Sequence, residues 1–193
     1  MEGEIFVNSD DRRIRKTKKA LRESLAELML EKELRSISVR ELADTADVHR
    51  ATFYTHYKDI YDLYEQLENA VVEELSEIIT NNTPNTYEKL FSAIVDYVYE
   101  NAGTCRMLFN KNGNRNFYDR VSTLLEEIYI SDWLDETGKT EVTEEWRFFA
   151  KYHIQGCLAI VNRWADSNYL YPKNEIIDFI LRASTNFDEM MPE

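Results

Sequence analysis

Between His49 and Tyr57 the chain reads HRATFYTHY, and His49, Arg50, Thr52, Tyr54, Thr55, His56 and Tyr57 all carry hydrogen-bonding groups suited to phosphate oxygens and base edges. Only Ala51 and Phe53 look like packing residues. A short helix this polar needs an apolar support behind it, and the preceding SVRELADTADV supplies one. Ser38 and Glu41 have the spacing of a capping box, so a helix is predicted to start at Ser38. Val39, Leu42, Ala43 and Ala46 recur at helical spacing and should face inward. Asp47 stands where the chain must turn sharply, and aspartate enters the left-handed region at tolerable cost. Val48 should plug the angle between the two helices. A supporting helix, a sharp turn and a polar second helix are the parts of a helix-turn-helix that reads DNA. Any two short helices with polar outer faces share that periodicity, so the pattern alone leaves the generic alternative open.

The upstream residues favour DNA. From Arg12 to Arg22 the chain reads RRIRKTKKALR, with seven basic residues (Arg12, Arg13, Arg15, Lys16, Lys18, Lys19, Arg22) and no acidic one. A charge run is often just a solvated face. Here the remainder is strongly acidic: residues 1–58 hold 12 Lys+Arg against 11 Asp+Glu, leaving 11 against 25 for residues 59–193 and a net charge of −13 overall. Such a protein repels nucleic acid as a whole, so binding must be local, through a basic first helix lying across the phosphate backbone beside the reading helix. Lys16 and Lys19 are its phosphate candidates.

The stretch from the basic helix through SVRELADTADVHRATFYTHYKDIYDLYEQL resembles the N-terminal DNA-binding domain of the TetR family of bacterial transcriptional regulators, with Thr52, Phe53 and Tyr54 as its distinctive T-x-Y core. Further on, RMLFNKNGNRNFYDRV and GCLAIVNRWADSNYLYPKNEIIDFI are similar to the branch that includes dihydroxyacetone-kinase regulators. The resemblance implies an all-α homodimer in which Arg40 and Arg50 touch base edges, and arginine bidentate to guanine is the commonest specific contact. It makes His49 and Thr52 secondary base or phosphate candidates. Tyr54, His56 and Tyr57 fall where the family contacts phosphate or packs the helix; for Tyr54 and Tyr57, core packing with a wet hydroxyl is the alternative. Three positions depart from the pattern: Asp47 replaces the usual turn glycine, Glu33 replaces a glycine that commonly ends the first helix, and Ile60 replaces the lysine that opens the fourth. Lys58 is a substitute charge for the last.

The chain's 193 residues, 44% of them hydrophobic, suffice for one sizeable helical core plus a small satellite domain. Five glycines and three prolines leave room for long helices with short loops. The predicted fold is all-α with about nine helices: a three-helix head over 1–58 and a regulatory and dimerisation domain over 59–193. No apolar run approaches the roughly 18 residues that span a bilayer, and no signal peptide is read, so a cytoplasmic protein without membrane attachment is expected. Cys105 and Cys157 lie in apolar surroundings and should be reduced packing residues, with redox sensing the alternative. Neither they nor His49, His56 and His153 match a zinc pattern, and no metal or cofactor is expected. An enzyme is not expected either: the chain has no glycine-rich phosphate loop, G-x-S-x-G elbow or H-E-x-x-H, and no acid/base pair stands out.

Apolar spacing predicts a fourth helix at about 60–79, a fifth around Leu90 to Val98 opened by Pro84, a sixth at about 105–109, then the polar turn NKNGNRN. A seventh follows around Phe117 to Ile128, a long eighth at 143–165 and a last at 173–187. The eighth is apolar over most of its circumference, more than one neighbouring helix covers, which supports a homodimer through the last two long helices; packing within its own domain is the alternative. Gly156 would permit close approach there. A small-molecule effector is expected among the fifth to eighth helices, with Tyr97, Phe109, Phe117, Tyr129, Trp133, Trp146, Phe149 and Tyr152 as candidate contacts, each also readable as plain core. The function expected is a repressor released from palindromic double-stranded DNA by that effector; the alternative is control by a protein partner.

Overall fold

The computed structural model describes residues 9–82, 87–109 and 115–188. Pro84 and residues 110–114 of the segment expected to turn lie outside them, and its last two residues, Arg115 and Asn116, belong to a helix instead. The described residues form nine α-helices and no strand: α1 Ser9–Glu31, α2 Val39–Thr45, α3 Arg50–Tyr54, α4 Ile60–Asn82, α5 Tyr87–Glu100, α6 Ala102–Phe109, α7 Arg115–Thr137, α8 Glu144–Asp166 and α9 Lys173–Asp188. The chain divides into two compact units, Met1–Leu67 and Glu68–Glu193, and α4 contributes residues to both.

In the first unit, Leu21, Leu25 and Met29 of α1 bury together with Leu42 and Ala43 of α2, Phe53 of α3, and Ile60, Leu63 and Leu67 of α4. These positions repeat at three and four residues, the spacing that puts one face of each helix inward. α1 ends without a left-handed residue: Glu33 is extended (φ −73°, ψ 146°) and leads into a 3-10 turn at Leu34–Ser36. A glycine is therefore not required at position 33. α2 opens on Ser38, whose Oγ accepts from the Glu41 amide at 3.1 Å. The Glu41 carboxylate pairs with Lys32, which holds it below its usual range, and the Ser38 amide adds a smaller pull.

α2 stops because Asp47 turns left-handed, at φ 52°. The Val48 amide then donates to Ala43 O at 2.9 Å and the Asp47 amide to Asp44 O at 3.3 Å, which is the Schellman closure of a helix end. An L-residue pays roughly 1–2 kcal/mol for this conformation, and a β-branched side chain is the worst placed to adopt it. Asp47→Val should lower unfolding stability by about that amount whereas Asp47→Gly should be tolerated or stabilising. Coincident denaturant midpoints for the two variants would contradict this account of the turn.

In the second unit α5 packs on α9, and α8 on α6, α7 and α9. Trp146, Ala150, His153, Ile154, Leu158, Val161, Trp164 and Ala165 form the inward face of α8. Thr143 caps that helix, its Oγ accepting from the Trp146 amide at 3.2 Å. Fully buried Ser122 of α7 is satisfied by Gln155 Nε2 at 2.6 Å and by Glu126, which also pairs with Lys151 at 2.8 Å. This polar seam fixes the register of α7 against α8. Beyond α8, Asn168 and Tyr169 are both left-handed, and the corner is tied by Trp164 Nε1 donating to Tyr171 O at 2.8 Å and Tyr169 Oη to Ala102 O at 2.9 Å.

Candidate nucleic-acid interface and interior cavity

α3 presents its outer face from a short, rigidly supported helix. Phe53 is buried beneath it and Tyr54 meets the Phe53 ring edge-on at 5.4 Å, leaving half of Tyr54 exposed. Arg50, the first residue of α3, is exposed, as is His49, which occupies the extended N-cap position. Thr52 and His56 are half-buried and Lys58 is exposed. The Thr55 hydroxyl donates to Thr52 O at 2.7 Å. Arg40 projects from α2 and is steadied by Asp44, one turn on, at 3.7 Å. Lys16 and Lys19 are exposed on α1, Lys19 beside Glu23 at 3.6 Å.

Tyr57 differs from the expected set. It is only 2% exposed, its ring packs 5.6 Å from Phe53, and its hydroxyl is buried beside the Arg22 guanidinium. Burial pushes the phenol up while Arg22 draws it back. A phosphate cannot reach that oxygen without opening the core, so Tyr57 supports α3 from behind. Ile60 is likewise a core residue, which gives the missing lysine a packing reason. The start of α4 is moreover occupied by its own acids: Asp59 accepts from the Asp62 amide at 2.9 Å and Asp62 from the Lys58 amide at 2.8 Å. That amide, with Gln66, holds the Asp62 carboxyl below its ordinary range. Two carboxylates thus satisfy amides that would otherwise attract an anion.

The second unit holds a cavity of about 50 Å³ among α5, α7, α8 and α9. Its walls are almost wholly apolar, built largely from Leu90, Ile94, Leu125, Ile128, Leu158 and Val161, with Asp132 as the acidic lining residue. Of the eight aromatic candidates, Tyr129 lines this cavity. Trp133, Trp146 and Phe149 pack beside it in an aromatic cluster, Trp133 and Trp146 at 4.1 Å. Phe109 and Phe117 form a separate edge-to-face pair, and the Tyr97 hydroxyl donates to Glu74 at 2.8 Å. Tyr152, 73% exposed, is on the outside of α8 and cannot line an interior site in the single chain. The aliphatic walls were legible as core stripes but carried no signal that a void lies between them. No group of three or more metal-ligating side chains is gathered among the described residues, and no described helix is long and apolar enough to cross a membrane.

Residues 85–186, more than half of the chain, match a family described as "Transcriptional regulator C-terminal region", and residues 21–67 match "Bacterial regulatory proteins, tetR family". No curated protein sequence matches the chain. Among solved structures it is similar to the dihydroxyacetone kinase operon activator DhaS (17% identity, 92% of this chain and 98% of that one, TM-score 0.62). It is also similar to a TetR transcriptional regulator from Streptococcus agalactiae 2603V (22%, 90% and 96%, TM-score 0.60). A third is NalD from Pseudomonas aeruginosa, the secondary repressor of the MexAB-OprM multidrug efflux pump (18%, 91% and 97%, TM-score 0.58). At these identities the likeness is one of fold.

Proposed function

Because the chain belongs to the tetR family of bacterial regulatory proteins, a family of non-enzymatic DNA-binding transcriptional regulators, we propose that it works as a homodimeric repressor released from a palindromic operator by a small effector. The observation that carries this reading is the α2–α3 unit, where Arg40, His49, Arg50 and Tyr54 are each exposed and Phe53 is packed beneath α3. Arg40 and Arg50 read base edges, with His49, Thr52, Tyr54, His56 and Lys58 as secondary contacts and Lys16 and Lys19 on the backbone.

The dimer reading is supported by the outward face of α8 and α9. Phe148 is 72% exposed, Tyr152 lies one turn on, and Phe179 of α9 borders a groove of about 550 Å³ with Ala159, Ile160 and Tyr171. A Cβ added at Gly156 on α8 would meet nothing within 4 Å, so the single chain gives no packing reason for that glycine. A homodimer on a palindromic duplex needs its two reading helices about 34 Å apart, or a multiple of it. An effector in the cavity acts by favouring one head spacing, with α4 contributing to both units, and its effect is bounded by its differential affinity for the two states.

A second reading, control by a protein partner, is favoured by the size of the cavity: about 50 Å³ is far below the roughly 300–1,000 Å³ of sites for drug-sized ligands. A compact effector or a partner suits this unit better than a bulky drug.

Neutralising Lys16 or Lys19 should weaken binding to specific and random duplexes alike and lower the salt slope by about one for each phosphate no longer neutralised. Anisotropy titrations across a salt series check this; an unchanged slope in the double variant Lys16→Gln, Lys19→Gln would remove α1 from the phosphate backbone.

A further inference from the structure

One wall of the α5, α7, α8, α9 cavity carries a nucleophile. Cys157 lines it, and its Sγ lies 3.9 Å from Nε2 of His153, one turn earlier on α8. Ser184 Oγ of α9 is 3.5 Å from the same nitrogen. His153 is buried and stacked at 5.1 Å on Tyr129, itself a cavity residue. Burial lowers the imidazole's affinity for a proton and pushes the thiol up to about 11, so the pair rests as neutral thiol beside neutral imidazole. A neutral, buried thiol reacts poorly with reagents in water, so reaction depends on a molecule held in the cavity against Sγ, with the imidazole nitrogen beside it to take the proton. Cys105 is a useful contrast: it is 1% exposed, pushed to about 12, and does not line this cavity.

We propose that Cys157 is the attacking group of a covalent sensor site for small, apolar α,β-unsaturated carbonyl compounds, with His153 as its base. The proposal rests on the reading of this cavity as the effector site. Apolar walls select an uncharged hydrophobic molecule, and a void of about 50 Å³ limits it to a compact one. Sγ forms a bond to the β-carbon while the carbon–carbon π pair moves toward the carbonyl as an enolate. The thiol proton passes to His153 Nε2 and then to the α-carbon. Nothing is oxidised or reduced, no group leaves, and no further reactant is consumed. The bonded chain of the adduct then makes contacts with the cavity walls that the unreacted chain lacks, which is the differential contact an effector needs.

The test uses the full chain with pent-3-en-2-one and, as a partner lacking the double bond, pentan-2-one, read by intact mass, peptide mapping and operator binding. The native chain is expected to gain one adduct, at Cys157 and not at Cys105. Cys157→Ala should abolish it, and His153→Phe, which keeps a ring against Tyr129, should slow it at least about tenfold. Equal labelling of both cysteines in the native chain, or labelling only after denaturation, would overturn the proposal. Loss of operator binding with pentan-2-one and no adduct from pent-3-en-2-one would likewise overturn it while leaving the effector site standing. A Cys157 adduct that leaves operator binding unchanged supports the nucleophile and defeats the effector reading instead.

Discussion

Arg50→Ala and Arg40→Ala are each expected to weaken binding to the preferred duplex by about 1–3 kcal/mol and to relax discrimination at one base position per half-site. Both side chains are exposed in the free protein, so neither substitution has a core to disturb. The loss should therefore appear in DNA affinity with the unfolding midpoint unmoved. Arg40 lies 3.7 Å from Asp44 on α2, whereas Arg50 is the first residue of α3. An exposed ion pair of this kind is weak, so Asp44 should not prevent Arg40 from engaging a guanine edge. Equal losses on specific and random duplexes would make these arginines phosphate contacts and sink the base-reading assignment.

Phe53→Ala should cost about 3–5 kcal/mol, the range for truncating a large buried aromatic residue. Phe53 is wholly buried and holds both Tyr54 and Tyr57 by ring contacts. Small units have only about 0.05–0.15 kcal/mol of stability per residue, so a loss of this size consumes most of what the first unit possesses. DNA binding should disappear while the second unit remains helical. Circular dichroism with sedimentation separates these outcomes: a head that stays folded in Phe53→Ala, with normal DNA affinity, would show that α3 does not depend on this core.

The parts of the head that were legible in the sequence are those set by near neighbours. Ser38 capping Glu41 is a matter of three residues, and Asp47 in the left-handed region is a matter of one turn. Tyr57 was not legible, because its fate depends on Arg22 from a helix 35 residues earlier, and a tyrosine on a polar helix reads the same whether its hydroxyl is wet or buried. Glu33 was misleading for a different reason: the expected glycine serves a left-handed helix end, and this chain leaves α1 through an extended residue and a 3-10 turn. In the second unit, periodicity marked α8 as apolar on too many sides but could not sort the sides. The structure puts Trp146 and Ala150 inward and Phe148 and Tyr152 outward. The cavity was invisible because a void is a mismatch of side-chain volumes across four helices, which no single helix records. Aromatic residues drew attention as ligand contacts, yet of those candidates Tyr129 lines the cavity, and most of its wall is leucine, isoleucine and valine.

Titration of a duplex carrying the gene's own upstream region, set against a random duplex of equal length across a salt series, tests the central claim that α3 reads sequence. Binding to the upstream duplex should be tighter than to the random one by about 10³ or more, with a steep salt dependence shared by both. Absence of salt-dependent retention of either duplex would contradict it.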